Sequence, residues 1–200
     1  MNAVGSLLFG LLFGSIPFGY LFGRLRRTDV RTRGSGNIGF TNVYRVFGLG
    51  WAIPVLLLDV GKGMVPVALA PTIRFVPGLV GAGAVLGHVF CPWLGLRGGK
   101  GVATTIGVSA LLCPRSLLAG LVLYAVVLLA SGFVSASSLV FAVALPVLTA
   151  FLYQHNPSLL AFTIVVALVM LVRHIGNIRR LLRGTEPKFG LWLKLFKKQK

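Results

Sequence analysis

A glycine-rich stretch at residues 95–101 combines two cations with a flexible backbone and lies between two apolar segments. It reads Gly-Leu-Arg-Gly-Gly-Lys-Gly. Glycine lets consecutive backbone N–H groups turn toward one anion, and the helix predicted to begin at the end of the stretch adds a positive dipole. The stretch therefore predicts a phosphate site, with a glycine turn carrying two interfacial cations as the alternative. The predicted site residues are Arg97, Gly98, Gly99, Lys100 and Gly101.

A second polar stretch, residues 34–45, reads Gly-Ser-Gly-Asn-Ile-Gly-Phe-Thr-Asn-Val-Tyr-Arg. Its small polar side chains exceed what a connector between apolar segments needs, and arginine binds phosphate through two parallel hydrogen bonds. It predicts a second anion site. A flexible turn whose Asn and Ser side chains cap the next helix is the alternative. The predicted site residues are Ser35, Gly36, Asn37, Thr41, Asn42 and Arg45.

Two charged residues, Asp59 and Lys62, lie inside a predicted membrane span, three residues apart on one helix face. A charge at bilayer depth costs about 2.5–3.5 kcal/mol. The pair is therefore predicted to support the function, with a mutually neutralised structural pair as the alternative. His88 ends the next apolar segment just before the glycine-rich stretch and is a third supporting residue.

Further polar residues lie near the ends of later apolar segments. His174 and Asn177 close the last segment and share one helix face. Ser135, Ser137 and Ser138 lie at a predicted helix start, where helix capping explains them on spacing alone. The predicted topology places five polar clusters at one membrane face, and structural roles explain this convergence less easily than they explain any single cluster.

The composition sets the class of protein that must position these residues. Hydrophobic residues make up 56% of the 200-residue chain, charged residues 12%, and the mean hydropathy is +0.90. A soluble domain is far less apolar, so the chain is predicted to be an all-α, polytopic membrane helix bundle of about seven spans. The fourth span is short, and a re-entrant half-helix is its alternative. The spans are 3–25, 49–70, 75–94, 101–113, 116–130, 137–153 and 157–172.

The distribution of cations predicts the orientation. Segment 24–45, loop 95–100 and the tail hold six, two and nine Lys and Arg residues, and seven spans place all three on one side. The opposite side holds only Arg74 and Arg115. The positive-inside rule then puts the N-terminus outside and the C-terminus in the cytoplasm. Cations between spans indicate contact with anionic lipid and no nucleic-acid partner.

Several enzyme classes are excluded by missing residues. The glycine-rich stretch lacks the spacing and the hydroxyl residue of a nucleotide-binding P-loop. The three histidines lack an aspartate five residues later, which removes the His-x4-Asp pair of the common glycerolipid acyltransferases. Three carboxylates in all are too few for a metal-dependent phosphotransferase. No metal and no cofactor are therefore expected.

The ordered motifs resemble those of the bacterial acyl-phosphate:glycerol-3-phosphate acyltransferases, over residues 1 to about 184. They read Gly14-Ser-Ile-Pro-Phe-Gly-Tyr20, residues 34–45 as above, Leu58-Asp-Val-Gly-Lys-Gly63, Gly87-His through Gly98-Gly-Lys-Gly-Val-Ala-Thr104, and Arg173-His-x-x-Asn-Ile178. The resemblance implies a multi-pass enzyme of the bacterial inner membrane whose active site faces the cytoplasm. It implies acyl transfer from acyl-phosphate to the 1-hydroxyl of sn-glycerol 3-phosphate, giving lysophosphatidic acid and phosphate in phospholipid synthesis.

The resemblance also assigns roles to residues and partners. Acyl-phosphate and glycerol 3-phosphate are the expected small-molecule partners, together with membrane lipids and an upstream enzyme that forms acyl-phosphate. The chain departs from the family pattern at Phe40, where alanine is common, and in a longer and more hydrophobic tail. The implied catalytic residues are Ser35, Arg45, Lys100, His174 and Asn177, with Ser138 as a further substrate position.

Residues 1–184 are thus predicted to form one membrane-embedded acyltransferase domain, and residues 185–200 a basic amphipathic cytoplasmic tail. Two other functions are compatible with the residues alone. A transporter of a phosphorylated metabolite shares the polar clusters and broken helices, but is expected to have paired repeats and sites at the bilayer midplane. A basic lipid-binding scaffold would not need the polar stretch at residues 34–45.

Overall fold

The computed structural model describes residues 2–196, with side-chain surroundings up to residue 193, and this part of the chain is helical without strands. Three-residue 3-10 turns at Val30–Thr32 and Pro92–Leu94 interrupt the connecting loops. The helices are α1 (Ala3–Gly14), α2 (Phe18–Leu25), α3 (Phe40–Phe47), α4 (Leu49–Leu69), α5 (Pro77–Val89), α6 (Val102–Leu112), α7 (Pro114–Ser131), α8 (Val134–Leu152), α9 (Pro157–Arg173), α10 (Ile175–Leu182) and α11 (Gly190–Phe196).

Proline residues mark several helix boundaries. Helices α5, α7 and α9 each begin with a proline in the first turn, where its missing N–H group costs nothing. Pro17 separates α1 from α2, because proline cannot donate the hydrogen bond that would continue the helix. The Ile16 carbonyl at this break accepts a hydrogen bond of 2.8 Å from Nζ of Lys62.

The helices confirm an all-α membrane fold. Five helical segments are long and apolar enough to cross a bilayer, and the pair α9 and α10, bent by 56°, makes a sixth if counted as one span. Helix α6 is apolar but has eleven residues, a length of about 16 Å, which is shorter than a hydrocarbon core of about 30 Å. The count of seven spans and the orientation of the termini stay predictions.

The contact between α1 and α5 brings two backbones together. A Cβ atom on Gly10 or Gly14 would clash with the carbonyl groups of α5, and one on Gly83 or Gly87 would clash with those of α1. Small residues spaced by four on both helices therefore allow this close approach. The contact holds the broken first span against α5, which carries His88 in its last turn.

Helix α6 packs against α4 in a similar way, with Gly63 of α4 against the Thr104 carbonyl and Gly107 of α6 against the Val60 carbonyl. This contact places the start of α6, which follows Lys100, beside the span that carries Asp59 and Lys62. The domain boundary after residue 184 stays a prediction. The described residues of the tail pack on the helix bundle, and residues 197–200 lie outside the described residues.

Candidate active site

A cavity of about 370 Å³ gathers most of the predicted site residues. Helices α3, α4, α6, α7 and α8 and the segment after α10 contribute to its walls. Residues far apart in sequence thus share one space, although their contacts with substrates stay a prediction. The predicted residues that line the cavity are Ser35, Asn37, Thr41, Asn42, Arg45, Asp59, His88, Lys100, Gly101, Ser138, His174 and Asn177.

Asn42 organises the polar stretch at residues 34–45. Its side chain is 1% exposed, and its Oδ1 accepts a hydrogen bond of 2.7 Å from the backbone N–H of Ser35. Its Nδ2 donates to the carbonyl groups of Val30, Arg33 and Asn37 at 2.8–3.1 Å. These bonds fix the Asn42 amide, so Asn42 shapes the loop that holds Ser35, and its contact with substrate stays a prediction.

The same loop requires glycine at position 34. Gly34 has a φ of +58°, and a Cβ atom added there would clash with Oδ1 of Asn42. Asn37 accepts a hydrogen bond of 2.8 Å from the N–H of Gly39 and so shapes the turn before α3. Gly36 does not line the cavity. The loop therefore presents Ser35 at the cavity and Arg45 from the last turn of α3.

Lys100 heads a chain of hydrogen bonds along the opposite wall. Its Nζ donates to Oδ1 of Asn177 at 2.7 Å, and Nδ2 of Asn177 donates to Oε1 of Glu186 at 2.6 Å. Nε of Arg180 lies 2.7 Å from Oε2 of Glu186. These hydrogen bonds orient the ammonium group of Lys100 at the cavity wall and use only one of its three protons.

Burial and neighbouring charges shift the pKa values of Lys100 and Glu186 in this chain of hydrogen bonds. Burial lowers the pKa of Lys100 to about 8, although the charge of Glu186 partly opposes the shift. Burial acts to raise the pKa of Glu186, but neighbouring hydrogen-bond donors that include Asn177 and Arg180 hold the pKa below its usual value. Glu186 is therefore ionised at neutral pH, and Lys100 is close to its titration range.

His174 lies in the bend between α9 and α10 and is 2% exposed. Its Nδ1 lies 2.8 Å from the carbonyl oxygen of Met170. Because a carbonyl only accepts hydrogen bonds, Nδ1 carries the proton in the neutral ring and Nε2 keeps its lone pair. The ring therefore offers the cavity an acceptor.

The glycine-rich stretch differs from the predicted phosphate cradle. The N–H groups of Gly98 and Gly99 donate to the carbonyl groups of Val89 and His88 at 3.1 and 3.0 Å, so the prediction that these two amides hold a phosphate is wrong. Neither glycine lines the cavity, nor does the exposed Arg97. Their amides turn away because the end of α5 has carbonyl groups without intrahelical partners.

Packing requires the glycines of this stretch. A Cβ atom on Gly99 would clash with the His88 ring, and one on Gly98 with the His88 carbonyl. Arg173 of α9 clamps the stretch from the other side, since its guanidinium donates to the carbonyl groups of Gly98 and Gly99 at 3.0 and 3.2 Å. The stretch thus places Lys100 rather than binding an anion through consecutive amides.

The charged residues inside the spans form a buried cluster at one wall of the cavity, to which Asp59 and His88 contribute. Nζ of Lys62 lies 2.6 Å from Oδ1 of Asp59, and Nδ1 of His88 lies 3.7 Å from the same oxygen. Lys62 also donates to the Ile16 carbonyl, as described above, and does not line the cavity. The cluster joins the break between α1 and α2 to α4 and to the end of α5.

Sequence reasoning missed three parts of the site. Glu186 and Arg173 were not predicted as site residues, although Glu186 is the single glutamate of the chain and stands in a basic region. The apolar wall was not predicted, because its residues look like ordinary membrane-span residues. The members of this apolar wall are Leu56, Ile106, Leu121, Tyr124, Leu128, Val134, Phe189 and Leu191.

Comparisons with known proteins agree with this arrangement. The family model described as glycerol-3-phosphate acyltransferase matches residues 4–184. Proteins of that description from Geobacter sulfurreducens and Shouchella clausii are each 42% identical to the chain, over 89% and 95% of it and 93% and 97% of their own lengths. One from Myxococcus xanthus is 46% identical, over 92% of this chain and 97% of its own.

The solved structures agree as well. The crystal structure of PlsY, an integral membrane glycerol 3-phosphate acyltransferase, in its glycerol 3-phosphate form has a TM-score of 0.89 and 33% identity, covering 98% of this chain and 100% of that one. Its lysophosphatidic acid form gives a TM-score of 0.87 over the same shares. The sequence match along nearly the whole chain, together with the shared membrane fold, shows that this chain belongs to the glycerol-3-phosphate acyltransferase family.

Proposed function

We propose that this protein transfers a fatty acyl group from acyl-phosphate to the 1-hydroxyl of sn-glycerol 3-phosphate, giving lysophosphatidic acid and phosphate. One observation carries the proposal: a single cavity joins a cationic end with Lys100 and Arg45 to the apolar wall. An acyl-phosphate has the same two parts. The family, and relatives solved with glycerol 3-phosphate and lysophosphatidic acid, support the acceptor and the product.

Two anions must meet in the cavity for this reaction. Two like unit charges 4 Å apart repel by about 4 kcal/mol near a protein surface, and each substrate phosphate carries more than one charge near pH 7. Lys100 holds one phosphate, and Arg45 with the loop around Ser35 holds the other. The cations thus offset the repulsion and align the acceptor with the acyl carbon.

The transfer proceeds by direct attack. The acceptor hydroxyl oxygen forms a bond to the acyl carbon, the bond from that carbon to the phosphate oxygen breaks, and the hydroxyl proton passes to a phosphate oxygen. Nε2 of His174 accepts a hydrogen bond from the other hydroxyl of glycerol 3-phosphate and so positions the acceptor, and Asn177 keeps Lys100 oriented. Phosphate is a good leaving group, so the reaction needs positioning more than a strong protein base.

Purified protein in liposomes, given acyl-phosphate and labelled glycerol 3-phosphate, tests the proposal. Lysophosphatidic acid with equimolar phosphate release is expected. If the labelled glycerol 3-phosphate is taken up unmodified, the protein is a transporter and the proposal is wrong. If there is no lysophosphatidic acid and no uptake, a lipid-binding scaffold is the remaining function.

Lys100→Ala and Arg97→Ala form a matched pair within one loop. Lys100→Ala is expected to lower kcat/KM at least about 100-fold, because removing one preorganised charge donor has an effect of this order. Arg97→Ala is expected to stay near the wild-type value, because Arg97 is exposed outside the cavity. Equal effects of the two variants would contradict the assignment of Lys100.

The protein incubated with acyl-phosphate alone distinguishes direct attack from an acyl-enzyme. Mass spectrometry is expected to find no stable acyl group on Ser35, and a stoichiometric adduct there would overturn direct attack.

We place the enzyme in the bacterial inner membrane with the cavity open to the cytoplasm. The excess of cations around the loops that line the cavity supports this placement.

A further inference from the structure

The segment that follows α10 crosses the cavity. We define the C-terminal strap as residues 185–193, which lie beyond the 4–184 match to the family model. Pro187, Phe189 and Leu191 of the strap line the cavity together with Glu186. This part of the cavity wall therefore comes from residues beyond those that the family model matches.

The strap is anchored at its first end and its middle. Glu186 is held by Asn177 and Arg180 at 2.6 and 2.7 Å. The N–H of Phe189 donates to the carbonyl of Gly132, in the turn between α7 and α8, at 2.8 Å. These bonds fix the backbone of the strap across the space between α10 and the turn.

Aromatic contacts hold the same segment against α3. The Phe189 ring centroid lies 5.1 Å from that of Tyr44 and 6.3 Å from that of Phe40, both in tilted arrangements. Phe189 is therefore the member of the apolar wall that contacts α3, the helix that follows the polar loop.

The far end of the strap is fastened to α7. Nε1 of Trp192 donates to the carbonyl of Leu129 at 2.8 Å, and Nζ of Lys188 lies 4.3 Å from the Trp192 ring centroid. Leu191 lies between these anchors and joins the same wall as Leu121 and Leu128 of α7. An acyl chain that lies along this wall would contact Leu191.

We infer that the C-terminal strap forms the wall against which the acyl chain of the substrate packs, so that Phe189 and Leu191 determine affinity for the acyl donor and chain preference. The inference rests on the proposed acyl transfer. Phe189 lies nearer the phosphate end, because its neighbours belong to α3, and Leu191 lies against the chain. Neither residue contributes charge, so their contribution is apolar contact and the shape of the cavity.

Leu191→Ala and Leu191→Trp test the inference, with Leu193→Ala as the matched control in the same helix. Leu191→Ala is expected to raise the KM for acyl-phosphate at least about 10-fold and leave the KM for glycerol 3-phosphate unchanged, since the substitution removes three carbon atoms and a single methylene contact in an apolar pocket already has an effect of this order. Leu191→Trp is expected to lower kcat/KM for an 18-carbon donor more than for a 12-carbon donor. Leu193→Ala is expected to match the wild type, because Leu193 does not line the cavity.

Binding of a fluorescent lysophosphatidic acid, followed by anisotropy, tests the strap without turnover. An approximately 10-fold weaker Kd for Leu191→Ala than for Leu193→Ala is expected, with equal melting temperatures showing that both variants fold. Equal Kd values and equal chain preferences in the two variants would overturn the inference even if the wild type is an active acyltransferase. A wild type without transferase activity would overturn the proposed function, and the Kd ratio would then decide the strap separately.

Discussion

At the scale of single residues, we expect the charge on Lys100 to decide how well the cavity holds an anion. Its ammonium group is bound to Asn177 and faces the cavity, and burial lowers its pKa to about 8. Lysine is charged below its pKa, so the group is mostly charged at neutral pH and loses its charge as the pH rises through about 8. Arginine keeps its charge throughout this range.

The pH dependence of kcat/KM should therefore show a basic limb that belongs to Lys100. We expect kcat/KM to fall above about pH 8, approaching tenfold per pH unit, because this parameter reports the free enzyme. The substrate phosphates lose their second proton near pH 6 and do not titrate there. Lys100→Arg is expected to move the limb to higher pH with reduced maximal activity, and an unchanged limb would assign it to another group.

At the scale of elements, two interhelical contacts set the geometry of the site. The Asp59–Lys62 pair ties α4 to the break between α1 and α2, and His88 brings the end of α5 to the same cluster. Glycine residues on α1 and α5 let these helices approach. Both contacts are buried, so small changes there are expected to alter the stability of the bundle before they alter substrate contacts.

Replacing one partner of the Asp59–Lys62 ion pair is expected to destabilise the protein more than replacing both partners. Lys62→Met leaves the Asp59 carboxylate buried without its partner, and an uncompensated buried charge costs about 3–5 kcal/mol. The melting temperature of the purified protein in detergent should fall markedly. The double variant Asp59→Asn with Lys62→Met should recover most of the loss, and equal melting temperatures of the single and double variants would contradict this electrostatic explanation.

The glycine contact is tested by two alanine substitutions in membrane helices. Gly10→Ala places a methyl group against the Val80 carbonyl of α5, and since backbone cannot rotate away, a loss of about 1–3 kcal/mol is expected. Gly61→Ala meets nothing within 4 Å and should be neutral or slightly stabilising, because alanine favours helix. Thermal unfolding of both variants measures the difference, and a loss in Gly61→Ala as large as that in Gly10→Ala would rule out packing as the cause.

At the scale of the whole molecule, cations gather on the side where the cavity residues are expected. Segment 24–45, loop 95–100 and the tail carry nearly all of the 20 Lys and Arg residues. This asymmetry is expected to orient the bundle during insertion and to attract anionic substrates toward the cavity. We therefore expect one distribution of charge to serve both insertion and recruitment of substrates.

The orientation of the termini follows from an odd number of spans. A cysteine introduced as Asn2→Cys should react with a membrane-impermeant maleimide in cells whose outer membrane is permeabilised and whose inner membrane is intact. A cysteine introduced as Lys200→Cys should react only after the inner membrane is permeabilised as well. The native Cys91 and Cys113 are buried and should give a low background. Labelling of both termini from the same side would show an even number of spans.

The amino-acid sequence alone determined the class of fold and most of the polar cavity. Apolar run length, proline position and the balance of cations are local properties, and they predicted an all-helical membrane protein, although α3 and α10 lie outside the predicted spans. The predicted topology also placed five polar clusters at one membrane face, and the family resemblance singled out Ser35, Arg45, Lys100 and Asn177 among them. Their roles toward substrate stay proposals.

Only the tertiary structure decided which partner each group takes. The amides of Gly98 and Gly99 satisfy the carbonyl groups at the end of α5, and the Glu186 carboxylate reaches Asn177 rather than solvent. The contribution of the C-terminal strap to the cavity wall is likewise visible only in the tertiary structure. Hydrogen-bond partners and cavity walls depend on which helix ends meet in space, and the pattern of residues along one segment carries no information about the segment that will lie against it.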